Sequence, residues 1–209
     1  PWQTDTTIND GWFYLGKHKA KKYKKVKDDP LHTNEGAEGE ELRMDAELII
    51  DNLVDIVSKN GNLLLNIGPR ADGSIPEVFV EELEKIGKWL DLNGEAIYET
   101  RPWIKFGEGP TEIETGYDTE PDKPWSSEDI RFTTKGKTLY AMPLDWPEGK
   151  DFTIRSLGTG EAALGDIAKV SLLGHEGPLE WKRYEEGLTI RLPESRPCDY
   201  AFVFKIETS

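Results

Sequence analysis

The segment NLLLNIGP, residues 62–69, decides the fold of the amino-terminal half of this chain. Its apolar residues run without polar alternation, and the run is too short for a helix of ordinary length. Such a run is typical of a strand covered on both faces, as in a parallel sheet flanked by helices. The sequence therefore predicts a buried parallel strand here, with Asn66 and Gly68 at its carboxyl end.

Two amphipathic helices are predicted on either side of this strand. Residues 42–59 carry apolar side chains at three- and four-residue spacing, and Asn60-Gly61 follows as a left-handed stop. Residues 76–92 show the same period, and Ser74 with Glu77 predicts a capping box at the start of that helix. A helix, a buried strand and a second helix are the repeating parts of an α/β architecture.

The sequence changes in character after residue 103. Residues 104–209 hold short alternating segments separated by Gly, Pro and Asp, and residues 131–134 and 138–141 flank a glycine-containing hairpin turn. Regular short strands without intervening helices predict an antiparallel β-sandwich. The predicted fold class is thus α/β followed by all-β, with a partial (β/α) barrel segment over residues 1–103 and a β-sandwich domain over residues 104–209.

One buried parallel strand with two helices cannot complete a sheet, because such a strand needs neighbours on both sides. Two alternatives remain open: the segment is the end of a (β/α) barrel whose earlier strands lie outside this chain, or it is a small domain that a second copy completes. Ligand-facing residues of a barrel lie at the carboxyl ends of its strands. This predicts a functional rim at residues 2–5 and 66–70.

Composition narrows the classes of function. The chain has 209 residues, with 40 acidic and 26 basic side chains and a net charge of −14, which disfavours a nucleic-acid partner because its phosphates would be repelled. No apolar run reaches the ~18 residues of a membrane helix. The single Cys198 excludes a cysteine-based zinc cage, and the three histidines are scattered. We expect a protein that handles a neutral or weakly charged ligand and binds no metal.

Several motifs, in order along the chain, resemble the α-L-fucosidases of glycoside hydrolase family 29. The segment WQTDTTINDGWFY, residues 2–14, is similar to a part near the end of the family's catalytic barrel. The strongest signature is VSKNGNLLLNIGP, residues 57–69, and further motifs continue through residues 87–103. Residues 132–141 resemble the family's carboxyl-terminal β-sandwich.

The resemblance implies an enzyme that removes terminal α-L-fucose from glycans with retention of configuration, without a metal or organic cofactor. Retention needs two carboxyl groups roughly 5 Å apart, a nucleophile and an acid/base. The family's nucleophile is an aspartate on an earlier strand, and no residue here matches its motif. In one branch of the family the acid/base glutamate falls where this chain has Gln3, whose amide cannot transfer the proton. The nearest carboxylate, Asp5, is the predicted catalytic residue, with a turn or cap acceptor as the alternative. A second acid would come from Glu38, Glu40 or Glu95.

The predicted substrate-binding residues are Trp2, Gln3, Trp12 and Asn66. The two tryptophans are candidates for the wall of a sugar site, and the alternative for both is packing at the barrel rim. Asn66 would hold a hydrogen-bond network at the rim, either against the ligand or within the structure.

The expected partner is a fucosylated oligosaccharide or glycoconjugate, with no nucleic acid and no membrane. A non-catalytic carbohydrate-binding or scaffold module is the alternative function, because the nucleophile motif is missing and the β region holds Trp125, Trp146 and Trp181. Homo-oligomerisation is a further hypothesis, since it would cover an open barrel edge.

The chain begins at Pro1 without a signal sequence, so we expect a processed product or a piece of a longer protein. The family's usual location predicts an extracellular or periplasmic protein.

Overall fold

The computed structural model describes residues 1–9, 42–111, 125–160 and 164–209. The predictions on Trp12, Glu38 and Glu40 lie outside these residues. In chain order the elements are β1 (Trp2–Thr7), α1 (Ala46–Ser58), β2 (Gly61–Asn66), α2 (Glu77–Asn93), β3 (Arg101–Glu108), β4 (Ile130–Lys135), β5 (Thr138–Pro143), β6 (Asp151–Ile154), β7 (Ile167–Leu172), β8 (Trp181–Tyr184), β9 (Gly187–Arg191) and β10 (Phe204–Thr208), with 3-10 turns at Gly94–Ala96 and Arg155–Leu157.

The predicted parallel strand is β2, and β1 is its hydrogen-bonded neighbour. The two strands pair in parallel from Trp2 opposite Gly61 to Thr7 opposite Asn66. Among the described residues no third strand joins this pair. Leu64 is 54% exposed, so the prediction that β2 is covered on both faces is wrong for this chain. One face packs towards α1, and on the other face Leu64 is exposed whereas Thr7, at the carboxyl end of β1, is buried.

The first helix begins later than its apolar period predicts. Asp45 caps α1 by accepting a hydrogen bond from the backbone N–H of Leu48 at 3.0 Å. The residues before it run beside the end of β1, where the backbone N–H of Arg43 donates to the Ile8 carbonyl at 2.9 Å. Asn60 after the helix has φ 67°, which confirms the predicted left-handed stop.

The start of the second helix differs from the predicted capping box. The residue before α2 is Pro76, and no side chain caps the helix. Ser74 is engaged elsewhere, because its backbone N–H and its hydroxyl donate to Asp72 Oδ1 at 2.9 and 2.7 Å. This Asx-type turn satisfies the serine locally, two residues before the helix begins.

The carboxyl-terminal half is the predicted antiparallel sandwich. One sheet has the strand order β3-β4-β5-β10-β7 and the other the order β6-β9-β8. The hairpin β4–β5 turns through Gly136 at φ 62°, as its sequence predicts. Side chains from both sheets form the core between them, among them Phe132, Phe152, Leu188, Ile190, Phe204 and Ile206.

The two helices pack against the other side of the five-stranded sheet. Apolar side chains of β5 and of the segment before β10 join the helices in a second core. Trp89 of α2 crosses this interface and donates its indole N–H to the Ala201 carbonyl at 2.7 Å. β3 runs across the predicted domain division between residues 103 and 104, and that division stays a prediction.

Candidate functional site

The parallel pair has one face turned away from the helices. Residues paired in register on neighbouring strands project to the same side of the sheet. Leu63 and Leu65 pack towards the helix core, so the residues between them lie on the opposite face, which we call the inner face. The inner face consists of Gln3, Asp5 and Thr7 from β1 and Asn62, Leu64 and Asn66 from β2.

The inner face is polar and accessible. Gln3, Asp5, Asn62 and Leu64 are exposed, whereas Thr7 is buried and Asn66 is half-buried. Asp5 lies directly beside Leu64 in the register and is the sole carboxylate of the six side chains on this face. One carboxylate can transfer a proton, but retaining glycoside hydrolysis needs two. A second carboxyl group would therefore have to come from outside β1 and β2.

A hydrogen-bond chain closes the carboxyl end of the sheet. The Asn66 side-chain amide donates to Thr7 Oγ1 at 3.2 Å, and the Thr7 hydroxyl donates to Asn9 Oδ1 at 2.9 Å. The backbone N–H of Ile8 also donates to the Asn66 carbonyl at 3.1 Å. Asn66 thus ties the ends of β1 and β2 together, and the predicted contact with substrate stays a prediction.

The backbone returns to this same end of the sheet after residues 10–41. Asn9 forms an isolated antiparallel bridge with Leu42. Asn9 and Leu42 therefore both lie at the carboxyl end of β1. In a (β/α) barrel this is the end at which loops build the active site.

The loop from β2 to α2 borders the same end. The Arg70 guanidinium donates to Ser74 Oγ at 3.3 Å and to the Ile75 carbonyl at 3.2 Å. Hydrogen bonds from Ser74 lower the pKa of the Asp72 carboxyl below its ordinary value. Arg70 and Asp72 both hold the loop closed on itself.

Trp2 lies at the opposite end of the sheet from Asn66. Its indole N–H donates to the Lys59 carbonyl at 3.0 Å, and a side chain on Gly61 would meet its ring at 2.8 Å. Five residues separate the two positions in the register, roughly 16 Å at strand spacing. The prediction that residues 2–5 share the rim with Asn66 is therefore wrong for Trp2 and Gln3, because β1 starts at residue 2 and has its carboxyl end at Thr7. Their predicted roles in substrate binding stay predictions.

The other candidate residues divide between the two halves of the chain. Glu95 binds Lys205 of β10 through both carboxylate oxygens, at 2.9 and 3.0 Å, and so joins the end of α2 to the sandwich. Trp125 is buried, and Trp146 packs edge-on against Phe202 at 4.7 Å. Trp146 and Trp181 are half-buried, so the three tryptophans do not form an exposed row for sugar stacking.

Thr7 and Asn9 were missed by sequence reasoning. Their signal is the alternation of Asp5, Thr7 and Asn9 at the end of a strand, which places polar groups on one face.

No group of three His, Cys, Asp or Glu side chains in the described ranges has an arrangement that could hold a metal ion.

Two family models match consecutive parts of the chain. The first, described as α-L-fucosidase, matches residues 35–95, and the second, the α-L-fucosidase C-terminal domain, matches residues 123–207. Human plasma α-L-fucosidase is 39% identical over 166 residues, which cover 77% of this chain and 32% of the relative. Mouse tissue α-L-fucosidase is 37% identical over 163 residues, covering 76% of this chain and 31% of the relative. The chain thus spans about a third of the length of these relatives.

Solved α-L-fucosidase structures share the fold along nearly the whole chain. The α-fucosidase of Thermotoga maritima in complex with a mechanism-based inhibitor superposes with a TM-score of 0.68 at 26% identity, covering 99% of this chain and 39% of that chain. Another α-L-fucosidase gives a TM-score of 0.69 at 26% identity, covering 99% of this chain and 38% of that one.

Proposed function

Because the chain belongs to the α-L-fucosidase family, we propose that it forms the last part of the catalytic barrel and the carboxyl-terminal sandwich of a retaining α-L-fucosidase. The observation that carries this proposal is the match of two consecutive family models, which lie over the helix–strand–helix region and over the sandwich. The proposed substrate is a fucosylated oligosaccharide or glycoconjugate.

In this proposal Asp5 is the proton-transferring carboxyl group. It would protonate the leaving oxygen of the glycosidic bond and then accept a proton from the water that releases fucose. Its support is its place on the inner face, where it is exposed and is the sole carboxylate of the two strands. The nucleophile in this reaction would come from outside β1 and β2.

Hydrolysis of an aryl α-L-fucoside tests the proposal on the protein as its gene encodes it. We expect Asp5→Asn to lower kcat/KM by about 100-fold or more, the usual contribution of a positioned acid/base. Asp91→Asn, the same change at an exposed position of α2, is the matched control and should leave the rate unchanged. An unchanged rate for Asp5→Asn would contradict the proposed role of Asp5. If the encoded protein does not hydrolyse the aryl fucoside at all, the proposed fucosidase activity is wrong.

Assays on the 209-residue chain alone distinguish a fucosidase from a non-catalytic carbohydrate-binding module. Gln3 on the inner face, in place of a proton-transferring acid, is the observation that keeps the module as a second candidate. Titration with fucose, followed by tryptophan emission, would show saturable binding without hydrolysis if this candidate is right. A folded chain that neither binds nor hydrolyses fucose would contradict the module and leave the chain as one part of an enzyme.

We infer an extracellular or periplasmic location and no nucleic-acid or membrane partner. The location is supported by the relatives named plasma α-L-fucosidase, and the charge of −14 disfavours nucleic acid. In the described part of the chain, no helix has both the length and the apolar character needed to cross a membrane. Homo-oligomerisation through the open sheet remains a hypothesis, and sedimentation showing only monomer would contradict it.

A further inference from the structure

An aspartate lies buried in the interface between the first helix and the sandwich. Asp51 is in the middle of α1, the helix that packs against β3 and β4 of the five-stranded sheet. The residue is only 4% exposed, and its buried Oδ1 has no hydrogen-bond partner among the residues that the structure describes. A carboxylate in this position has lost its water, and no donor replaces that water at Oδ1.

Most of the charged groups that face Asp51 are acidic. Glu47 precedes it by one helical turn, Asp45 caps the same helix, and Asp145 approaches from the segment after β5. A second negative charge placed among these groups would be repelled by each of them. The surroundings therefore favour the neutral form of the Asp51 carboxyl.

Arg131, a cation that faces Asp51, is already engaged. Arg131 of β4 donates its Nε–H to Asp55 Oδ1 at 2.6 Å, and Lys59 donates to the other oxygen of Asp55 at 2.7 Å. The guanidinium also lies over the Trp125 ring, 4.8 Å from its centroid. Asp55, one turn beyond Asp51, thus takes the available positive charge, and Asp51 receives little compensation.

We propose that Asp51 is a proton-binding site that is occupied at neutral pH, and that this proton makes the contact between α1 and the five-stranded sheet stronger in acid than in base. The geometry favours a proton over a metal ion, because the described residues offer no suitable group of three metal ligands. The proposal concerns the stability of the junction and does not depend on the fucosidase activity.

The expected pH dependence of stability follows from the direction in which the pKa of Asp51 is shifted. Burial, and then the charges of Glu47, Asp145 and Asp45, raise the pKa of Asp51 from 3.8 to about 8, and Arg131 opposes them only weakly. A raised pKa in the folded protein means that the stabilisation is complete below pH 3.8 and is lost as the pH rises through about 8. The junction should therefore weaken steadily from acid to mildly alkaline pH.

Thermal unfolding of the 209-residue chain tests this with Asp51→Asn, which keeps the shape of the side chain and cannot ionise. Between pH 5 and pH 8 we expect the folding equilibrium constant of the variant, relative to that of the original, to rise by at least about tenfold, a relative rise in Tm of about 3 °C or more. The gain should shrink towards pH 5. Asp91→Asn, exposed on α2, should change Tm equally little at both pH values. A difference between Asp51→Asn and the original chain that is the same at pH 5 and pH 8 would overturn the proposal.

A measurement on the unchanged chain covers the case in which Asp51→Asn does not fold. Carbon-13 NMR of labelled aspartate carboxyl groups should show one signal that titrates between about pH 7 and 9, well above the ordinary aspartate range. The expected signal is absent from any folded Asp51 variant, including Asp51→Ala. If every aspartate signal completes its titration by about pH 6, the proton is not there and the proposal is wrong.

Discussion

The parallel pair β1–β2 and the sandwich place their apolar side chains in different ways. In the sandwich, Phe132, Phe202 and Phe204 are at most 1% exposed, because two sheets face each other across them. In the parallel pair, Leu64 is 54% exposed on the inner face, and neither strand has a second neighbour in the described part of the chain. The sandwich thus completes its own core, while the parallel pair buries the face that α1 covers and leaves the middle of its inner face, at Leu64, exposed.

The difference follows from how the two kinds of sheet are connected. Antiparallel strands can be joined by short hairpins, and β4 and β5 pair across a turn of two residues within residues 130–143. Parallel strands must be joined by long connections, and a parallel sheet is stable when both of its faces are covered. Within the described residues, the sandwich therefore has both of its facing sheets, whereas the parallel pair has Leu64 exposed on its inner face.

The largest expected effect tests the contrast between the two cores. Phe204→Ala removes a fully buried ring that packs 5.4 Å from Phe152, and it should lower the free energy of unfolding by about 3–5 kcal/mol. Leu64→Ala on the open inner face should cost less than about 1 kcal/mol. Urea denaturation of both variants measures the difference. Equal losses would mean that Leu64 is covered in solution, by a second copy of the chain or by another segment.

The next effect concerns the contact that joins the two regions. Arg131 and Asp55 are 3% and 5% exposed, and Arg131→Met would leave the Asp55 carboxylate buried with Lys59 as its remaining partner. We expect a loss of about 3 kcal/mol in urea denaturation, because breaking a buried ion pair strands one charge.

Lys59→Met is the matched control for this pair. The Lys59 side chain is 29% exposed, so its loss should cost about 1 kcal/mol or less. If Arg131→Met were no more costly than Lys59→Met, the buried pair would not hold α1 to the sandwich.

A smaller effect concerns Asp129, a buried aspartate whose pKa is shifted in the opposite direction to that of Asp51. Asp129 accepts hydrogen bonds from the backbone N–H groups and hydroxyls of Thr111 and Ser126, at 2.8–3.0 Å. Burial opposes its ionisation, but these hydrogen bonds outweigh burial and lower the pKa of Asp129 below 3.8. A lowered pKa means stabilisation that is present above pH 3.8 and is lost as the pH falls through the folded value. Asp51 has the opposite dependence.

Asp129→Asn should cost about 1–3 kcal/mol at neutral pH, because its amide nitrogen cannot accept the bonds that one carboxylate oxygen receives. The cost should fall as the solution is made acidic, which urea denaturation at several pH values would show. Asp166→Asn, at an exposed position of the sandwich, serves as the control and should show no such trend. A cost for Asp129→Asn that does not change with pH would contradict the hydrogen-bonded carboxylate.

The smallest effect is at the ion pair that joins the turn after α2 to the sandwich. Glu95→Gln breaks the ion pair with Lys205, whose side chain is 25% exposed. We expect a loss of about 0.5 kcal/mol that disappears in high salt, as for other partly exposed pairs. A loss as large as that for Arg131→Met would mean that the two links are equally important.

Local patterns predicted much of the fold. A local period or a turn motif predicts four of the elements from a short stretch of sequence: the helices α1 and α2, the strand β2 and the hairpin β4–β5. The pairing of β1 with β2 has no local signal, because the two strands lie about sixty residues apart in the sequence. The capping box predicted at Ser74 is absent for a different reason, because the nearby Asp72 takes the hydrogen bonds of Ser74 in the folded loop.

The candidate site was predicted less completely than the fold. Asn66 was expected at the carboxyl end of β2, and it lies there. The hydrogen-bonded partners Thr7 and Asn9 were not chosen, and Trp2 was placed at the wrong end of the sheet. Trp2 lies away from Asn66 because β1 begins at Trp2 and ends at Thr7, and these bounds follow from its pairing with the distant β2.

By itself the sequence determined the types of the main elements, their order and the family, because each of these depends on short-range periodicity or on motifs read along the chain. Only the tertiary structure decided which side chains share the inner face, that Leu64 is uncovered and that Asp51 is enclosed by other acids. The reason is physical: solvation and charge at an atom depend on every group around it, and most of those groups come from distant parts of the sequence.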